Sequence, residues 1–151
     1  MTQMEKGNVV LSDRALSFVL ERRVAHLATT DGKGRPHLVP VCFAYEGGCF
    51  YSPLDAKSKQ VAPLKLRRVR NILANQQVAL LFDHYDEDWE RLGYVLLEGS
   101  ATMVASEAER RRAVALLRER YPQYHTLLPD NSPVIRIEPH RPVIWVATAA
   151  V

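Results

Sequence analysis

The run VAHLATTDGKGRPHLVPVCFAYEGGCFYS, Val24 to Ser52, decides the fold. Val24 to Thr30 is short and apolar-rich, Asp31-Gly32-Lys33-Gly34 is turn chemistry, and Arg35 to Tyr45 carries Leu38, Val39, Val41 and Phe43 as a second strand. Gly47-Gly48 then turns the chain into Cys49-Phe50-Tyr51-Ser52, because two glycines supply the positive φ angles a two-residue hairpin needs. The stretch predicts a three-strand meander. With Gly47-Gly48 as the turn, Cys49 faces Glu46 and Cys42 faces Pro53, so the two thiols lie roughly 13 Å apart along the ladder, beyond disulfide reach.

Outward from the meander, Ser12 to about Arg22 reads as a helix with Ser12 or Asp13 as cap and Leu16, Val19 and Leu20 on one face. Pro63 sits where a first helical residue belongs, and Leu66, Val69 and Leu73 form the stripe of a second helix. Val78 to Asp83 is a buried strand, followed by an acidic loop and a long strand from Gly93 to about Val104. Ser106-Glu107-Ala108-Glu109 is a capping box that opens a third helix to about Arg120, with the stripe Ala113, Val114, Leu117 and Tyr121. Val134 to Ile137 and Val143 to Val146 supply the closing strand or strands. About six strands in short antiparallel connections, with helices between only some of them, predict a small, mainly β barrel with flanking helices and argue against a doubly wound sheet. Residues 1–151 form one domain, with no internal repeat and no linker.

The 47% apolar and 25% charged residues are those of an ordinary globular protein, which excludes a disordered or fibrous chain. No apolar run reaches membrane-spanning length and the N-terminus has no leader-like apolar core, so a cytoplasmic protein with no membrane partner is expected. Two cysteines without a CxxC pair give little support to thiol redox chemistry or structural zinc. Asp83, His84, Asp86 and Asp88 read as solvated loop residues, so no metal is assigned, and Arg110-Arg111-Arg112 reads as an exposed helix face, so no nucleic-acid partner is assigned. Gly32 and Gly34 lack the third glycine of a dinucleotide fingerprint and precede a strand, so they are turn residues.

The net charge of +3 hides a segregation. Lys57, Lys59, Lys65, Arg67, Arg68 and Arg70 fall in one stretch with no acid among them. A solvated basic helix face would explain such a run. Its position after the meander, and its interleaving with Ser52, Ser58 and Asn71, favour an anion site suited to a phosphate.

Ala25-His26-Leu27-Ala28-Thr29-Thr30, Asp31 to His37, Val39-Pro40-Val41, Asp55-Ala56-Lys57-Ser58-Lys59 and Arg70-Asn71 together resemble the pyridoxamine-phosphate-oxidase-like split β-barrel superfamily. Phe82-Asp83-His84-Tyr85-Asp86-Glu87-Asp88-Trp89 is similar to its flavin/deazaflavin oxidoreductase branch, and the likeness runs from about Leu11 to Val146. The resemblance implies a six-stranded antiparallel split β-barrel and a homodimer with the cofactor at its interface. It further implies that Lys57 and Lys59 hold the cofactor phosphate, with Ser52 and Asn71 as lesser candidates, and that Val39, Pro40 and Val41 lie along the ring and offer backbone amides. Tyr85, Trp89 and Trp145 become ring or substrate contacts, from the partner subunit in one arrangement; each has an alternative as core or dimer packing. Two departures stand out: Ser58 where the family loop commonly has proline, and Asn75-Gln76 where it commonly has Asn-Pro.

The implied activity is hydride transfer from reduced coenzyme F-420 to an electron-poor small-molecule acceptor. F-420 carries a string of carboxylates beyond its phosphate, and six cations suit that tail better than one phosphate alone, although Arg67 and Arg70 lie on different azimuths of their helix. No catalytic side chain is assigned; His37 and Tyr85 are the titratable residues of interest. Two alternatives stand beside this reading. One is an FMN-binding flavin reductase or a pyridoxamine-phosphate-oxidase-like enzyme, the other a non-catalytic flavin or tetrapyrrole carrier.

Overall fold

The computed structural model describes residues 11–54 and 62–147. Seven strands, β1 (Ala25–Thr30), β2 (Pro36–Val41), β3 (Ala44–Glu46), β4 (Cys49–Pro53), β5 (Gln77–His84), β6 (Gly93–Met103) and β7 (Val134–Val146), pair antiparallel in the order β2-β1-β5-β6-β7-β4-β3. The helices are α1 (Asp13–Glu21), α2 (Arg67–Ala74), α3 (Glu107–Arg120) and the one-turn α4 (Tyr124–Leu127).

Seven strands replace the expected six because Arg35 to Tyr45 is not one strand. The chain breaks at Cys42-Phe43, where the Phe43 N–H donates to the Tyr121 hydroxyl at 3.1 Å instead of to a neighbouring strand. Tyr121 in turn donates to the Arg23 carbonyl at 2.9 Å, and the Arg120 guanidinium lies 4.6 Å over the Phe43 ring. On either side of this corner the chain takes different partners, β2 pairing with β1 and β3 with β4. β2 and β3 are therefore the two ends of the sheet order joined by two residues, so the sheet curls until its edges meet there. The closing segment is a single 13-residue strand rather than two pieces.

The hairpin turns form as their residues dictate. Gly47 and Gly48 have φ of 62° and 80°, and Glu46 faces Cys49 across them. Both cysteines are free thiols. In the β1–β2 turn one Asp31 oxygen accepts from the Lys33 and Arg35 amides at 2.8 and 3.0 Å, and the other accepts from Arg35 Nε at 2.7 Å. These bonds, led by the Arg35 amide, pull the Asp31 carboxyl down to about 2.

Helix faces agree with the expected stripes only in α3. There Ser106 Oγ accepts from the Glu109 amide at 3.2 Å, and Ala113, Val114, Leu117 and Tyr121 are all buried. α1 is capped by Ser12, but it buries Ala15, Phe18 and Val19 while Leu20 is 39% exposed. At about 100° per residue the 15/18/19 face cannot also bury Leu20. α2 follows a 3-10 turn at Pro63–Lys65 and buries Val69, Asn71 and Ile72, leaving Leu73 69% exposed. The expected Leu66/Val69/Leu73 stripe is rotated by one residue, since Ile72 is the residue aligned with Val69 on the barrel side.

Inside the curl, Phe43, Phe50 and Phe82 stack with centroids 4.9 to 6.0 Å apart among Leu27, Leu80, Leu97 and Ile137. A second core lies outside the sheet, where α3 covers Ala44, Cys49, Tyr51 and Val134. No described helix lies over the outer face of β2, β1, β5, β6 and the far half of β7, and Leu38, Tyr94, Val143 and Trp145 are 65%, 38%, 37% and 48% exposed there.

Candidate functional site

Two halves of the sequence-predicted site lie at opposite ends of the barrel. At one end β4 runs out at Pro53 and Leu54, and Lys57 and Lys59 follow in the segment that lies outside the described residues. Ser52 sits on the core side of β4, opposite Ile135, only 1% exposed. Its hydroxyl has no hydrogen-bond partner among the described residues. A buried hydroxyl left unpaired costs about 1–3 kcal/mol, so an orphan leading directly into a two-lysine segment fits a polar ligand group.

The same end carries α2. Asn71, 4% exposed, donates from Nδ2 to Thr29 Oγ1 at 3.0 Å, and Thr29 is the cross-strand partner of His37. This tether sets α2 against β1, with Arg67 and Arg68 on the turn preceding Asn71. Asn71 is thus engaged in holding the helix. The first turn of α2 contains two arginines, no acid and no side-chain cap. Cations at a helix N-terminus oppose its dipole, an arrangement that an anion would relieve. Asn75, standing at the departure from the family pattern, donates to Thr30 Oγ1 at 2.9 Å and accepts from the Gln77 amide at 3.0 Å, so its side chain pins the loop.

His37 reports the local field. Burial first, then the charges of Arg67 and Arg68, hold its imidazole below the usual histidine range. In the unfolded chain it binds protons near 6.5, so between that value and its lower folded value the unfolded state holds more protons. The His37 contribution to stability is complete above pH 6.5 and declines as the pH falls through that window. An NMR titration should place His37 below 6.5; Arg67→Gln should move it upward, and a value unmoved by the substitution would refute the coupling.

β2 forms the free edge beside this cluster. The Asp31 amide donates to the Arg35 carbonyl at 3.2 Å, and that register continues as Thr29↔His37, Leu27↔Val39 and Ala25↔Val41. These odd-numbered residues are the hydrogen-bonded pairs, which agrees with proline at 36 and 40, where no N–H is owed to the ladder. The outward backbone groups therefore belong to Pro36, Leu38 and Pro40. Val39 and Val41 direct their amides into β1 and their side chains toward the core, and Pro40 has no amide, so Leu38 carries the outward N–H of this strand. Sequence reading passed over Leu38, though the Pro36/Pro40 spacing was its signal.

The aromatics occupy the other end. Tyr85 and Trp89 are 64% and 70% exposed in the loop between β5 and β6, and Trp145 lies 6.3 Å from Tyr94 across β6 and β7. The full length of β5, roughly 23 Å at strand rise, separates this loop from the α2 end. One chain therefore does not bring Tyr85 or Trp89 together with Ser52 and Asn71. The acids stay local: His84 is 3.7 Å from Asp86 and His26 is 3.7 Å from Asp83. No group of three or more metal-type side chains occurs among the described residues, and no described helix is long and apolar enough to cross a membrane.

No curated protein matches the chain. Among solved structures, a conserved hypothetical protein from Mycobacterium tuberculosis superposes with TM-score 0.73 at 24% identity, covering 93% of this chain and 88% of that one. The heme storage protein HutZ from Vibrio cholerae gives 0.68 at 20% identity, covering 91% and 95%. A protein described as an F420 reductase gives 0.66 at 21% identity, covering 88% and 98%. These likenesses concern the fold, which hosts more than one function. The family model described as pyridoxamine 5'-phosphate oxidase matches residues 11–151, and the chain belongs to that family.

Proposed function

We propose that the chain is an oxidoreductase that binds coenzyme F-420 and passes a hydride to an electron-poor small molecule, working as a homodimer. The observation that carries this reading is the concentration of positive charge at the α2 end, where two arginines open a helix without an acid and add to the effect of burial in holding His37 down. A phosphate followed by carboxylates would neutralise it; two or three donors satisfy a phosphate alone. Lys57 and Lys59 would hold the phosphate, Ser52 would contribute its hydroxyl, and Arg67 and Arg68 would face the tail. The outward Leu38 amide would donate to the polar edge of the ring. When bound, the cofactor supplies a hydride from C5 of its reduced ring. The chain's part is to orient cofactor and acceptor and to exclude water.

The two-ended layout supports the dimer. The outer sheet face carries the row Pro40, His26, Leu81, Leu96 and Val143, apolar except for His26, flanked by Tyr94 and Trp145. Apposed to its own copy in the opposite direction, this face would set the acidic, aromatic β5–β6 loop of one chain beside the cationic α2 end of the other. Tyr85 and Trp89 would then close over a ligand whose phosphate the partner chain holds.

Titration of cofactor-free protein with F-420 and FMN, followed by ligand fluorescence, tests the assignment. An F-420 preference of about tenfold or more is expected from the added carboxylate contacts. A preference for FMN would move the protein to the flavin alternative, for which Ser52 and two lysines suffice. Binding of neither would overturn the enzyme reading in favour of a carrier.

A further inference from the structure

The cofactor reading leaves one side of α2 unused. At about 100° per residue, Arg70 stands about 160° around the helix from Arg68, whose charge reaches His37. Arg70 therefore points away from the side on which the cofactor tail and the partner's loop are placed. Val69, Asn71 and Ile72 turn the opposite side of the helix into the fold. Leu73 is left beside Arg70 at 69% exposure, the most exposed aliphatic side chain among the described residues.

The 3-10 turn ahead of the helix repeats the pattern, with Leu64 56% exposed and Lys65 exposed next to it. At the other end, the hydrogen bond from Asn75 to Thr30 brings the β1–β2 turn against the helix C-terminus. Lys33 of that turn is exposed, while its Asp31 is held by Arg35 at 2.7 Å. Leucines and cations thus share one strip, and the sequence from Ala56 to Phe82 contains no acid. Leu64 also walls an apolar depression of about 420 Å³ with Leu54, Pro63, Pro129 and Pro133, so the apolar ground at that end exceeds one side chain.

A nucleic acid would engage the cations and leave the leucines without a partner, because its affinity comes from phosphate contacts. An anionic bilayer surface takes both. Leucine tips enter the boundary between headgroups and acyl chains, and Lys and Arg meet the lipid phosphates from beside them, their own stems being apolar. We propose that this side of α2 and the turn before it dock on an anionic phospholipid surface, with Leu64 and Leu73 inserted and Lys65, Arg70 and Lys33 on the headgroups. The expectation of no membrane partner rested on spanning runs and leader-like segments, which a surface contact does not need. The proposal requires neither F-420 nor FMN.

Co-sedimentation of the full-length protein with vesicles is the test. Vesicles of phosphatidylglycerol mixed with phosphatidylcholine should carry the protein down, and phosphatidylcholine alone should bind it at least about tenfold more weakly. Lys65→Gln with Arg70→Gln should weaken binding to the mixed vesicles about tenfold or more. Leu64→Ser with Leu73→Ser should weaken it comparably while leaving Tm within about 2 °C of native, since both side chains are exposed. Arg111→Gln, which removes an exposed cation on α3, is the control and should change binding by less than about threefold. Failure to bind the mixed vesicles, equal binding to phosphatidylcholine alone, native binding by the leucine variant, or an equal loss with Arg111→Gln would each overturn the proposal. Tighter binding to a short DNA duplex, lost with the charge pair and kept by the leucine variant, would overturn it in favour of a nucleic-acid surface.

Discussion

The double substitution Lys57→Ala and Lys59→Ala is expected to weaken F-420 binding by roughly 10²- to 10⁴-fold, because each charge-assisted hydrogen bond to a phosphate contributes about 1.5–3 kcal/mol. Fluorescence titration of the ligand measures the loss. Thermal stability should be unchanged, since lysine side chains are among those least often buried in a core. Oligomeric state should be equally unaffected, because the apolar row proposed as the contact lies on the opposite side of Ala28 and Ala79 from the α2 end. An affinity within about threefold of native would remove the phosphate site from these lysines and leave Arg67 and Arg68 as the anion donors, the two residues whose field already reaches His37. Raised salt should weaken the native complex more than the variant complex, because the variant has fewer charges to screen.

Gly99→Ala is expected to lower stability by about 3 kcal/mol, equivalent to a fall in Tm of roughly 6–12 °C for a chain of this size. The added methyl would meet the Glu138 carbonyl oxygen at 2.3 Å, its carbon at 3.0 Å and the Pro139 Cα at 3.1 Å. All three are backbone atoms, so relief requires β7 to move away from β6 at the bulge, where Glu98 pairs with Arg141 but Gly99 with Pro139. Gly93 offers a contrast within the same strand, because a Cβ there meets the Phe18 ring at 2.8 Å, and a side chain can yield where a ladder cannot. Gly32, in the β1–β2 turn, has nothing within 4 Å, so Gly32→Ala serves as the control and should leave Tm within about 2 °C of native. A Gly99→Ala protein as stable as the control would show that the bulge is soft.

Much of the fold was legible from local signals. The apolar run in Val24–Thr30, the Gly47-Gly48 turn and the Ser106 cap each depend on residues within a few positions of one another: a strand forms over Ala25–Thr30, the two glycines turn the chain, and Ser106 Oγ accepts from the Glu109 amide, while the Glu109 carboxylate accepts from the Tyr51 hydroxyl instead of reaching back. The rotation of α1 and α2 was not legible, since Leu20 and Leu73 are as apolar as Phe18 and Ile72, and only the barrel decides which of them it covers. The break that makes a seventh strand depends on the Phe43 amide meeting a Tyr121 hydroxyl 78 positions away. No window of sequence contains both.

For the candidate site the division is similar. Residue chemistry alone identified the cationic run from Lys57 to Arg70 and the aromatic acidic loop around Tyr85 and Trp89. The sequence by itself determined a mainly β fold with flanking helices and a concentration of cations from Lys57 to Arg70, because periodicity, turn chemistry and charge runs are properties of near neighbours. Tertiary structure alone decided that Leu38 rather than Val39 or Val41 carries the outward amide, that His140 turns toward Ser100, and that the cationic and aromatic residues stand at opposite ends of one barrel. Those outcomes follow from cross-strand register, which pairs residues distant in the chain and is set by the whole sheet at once.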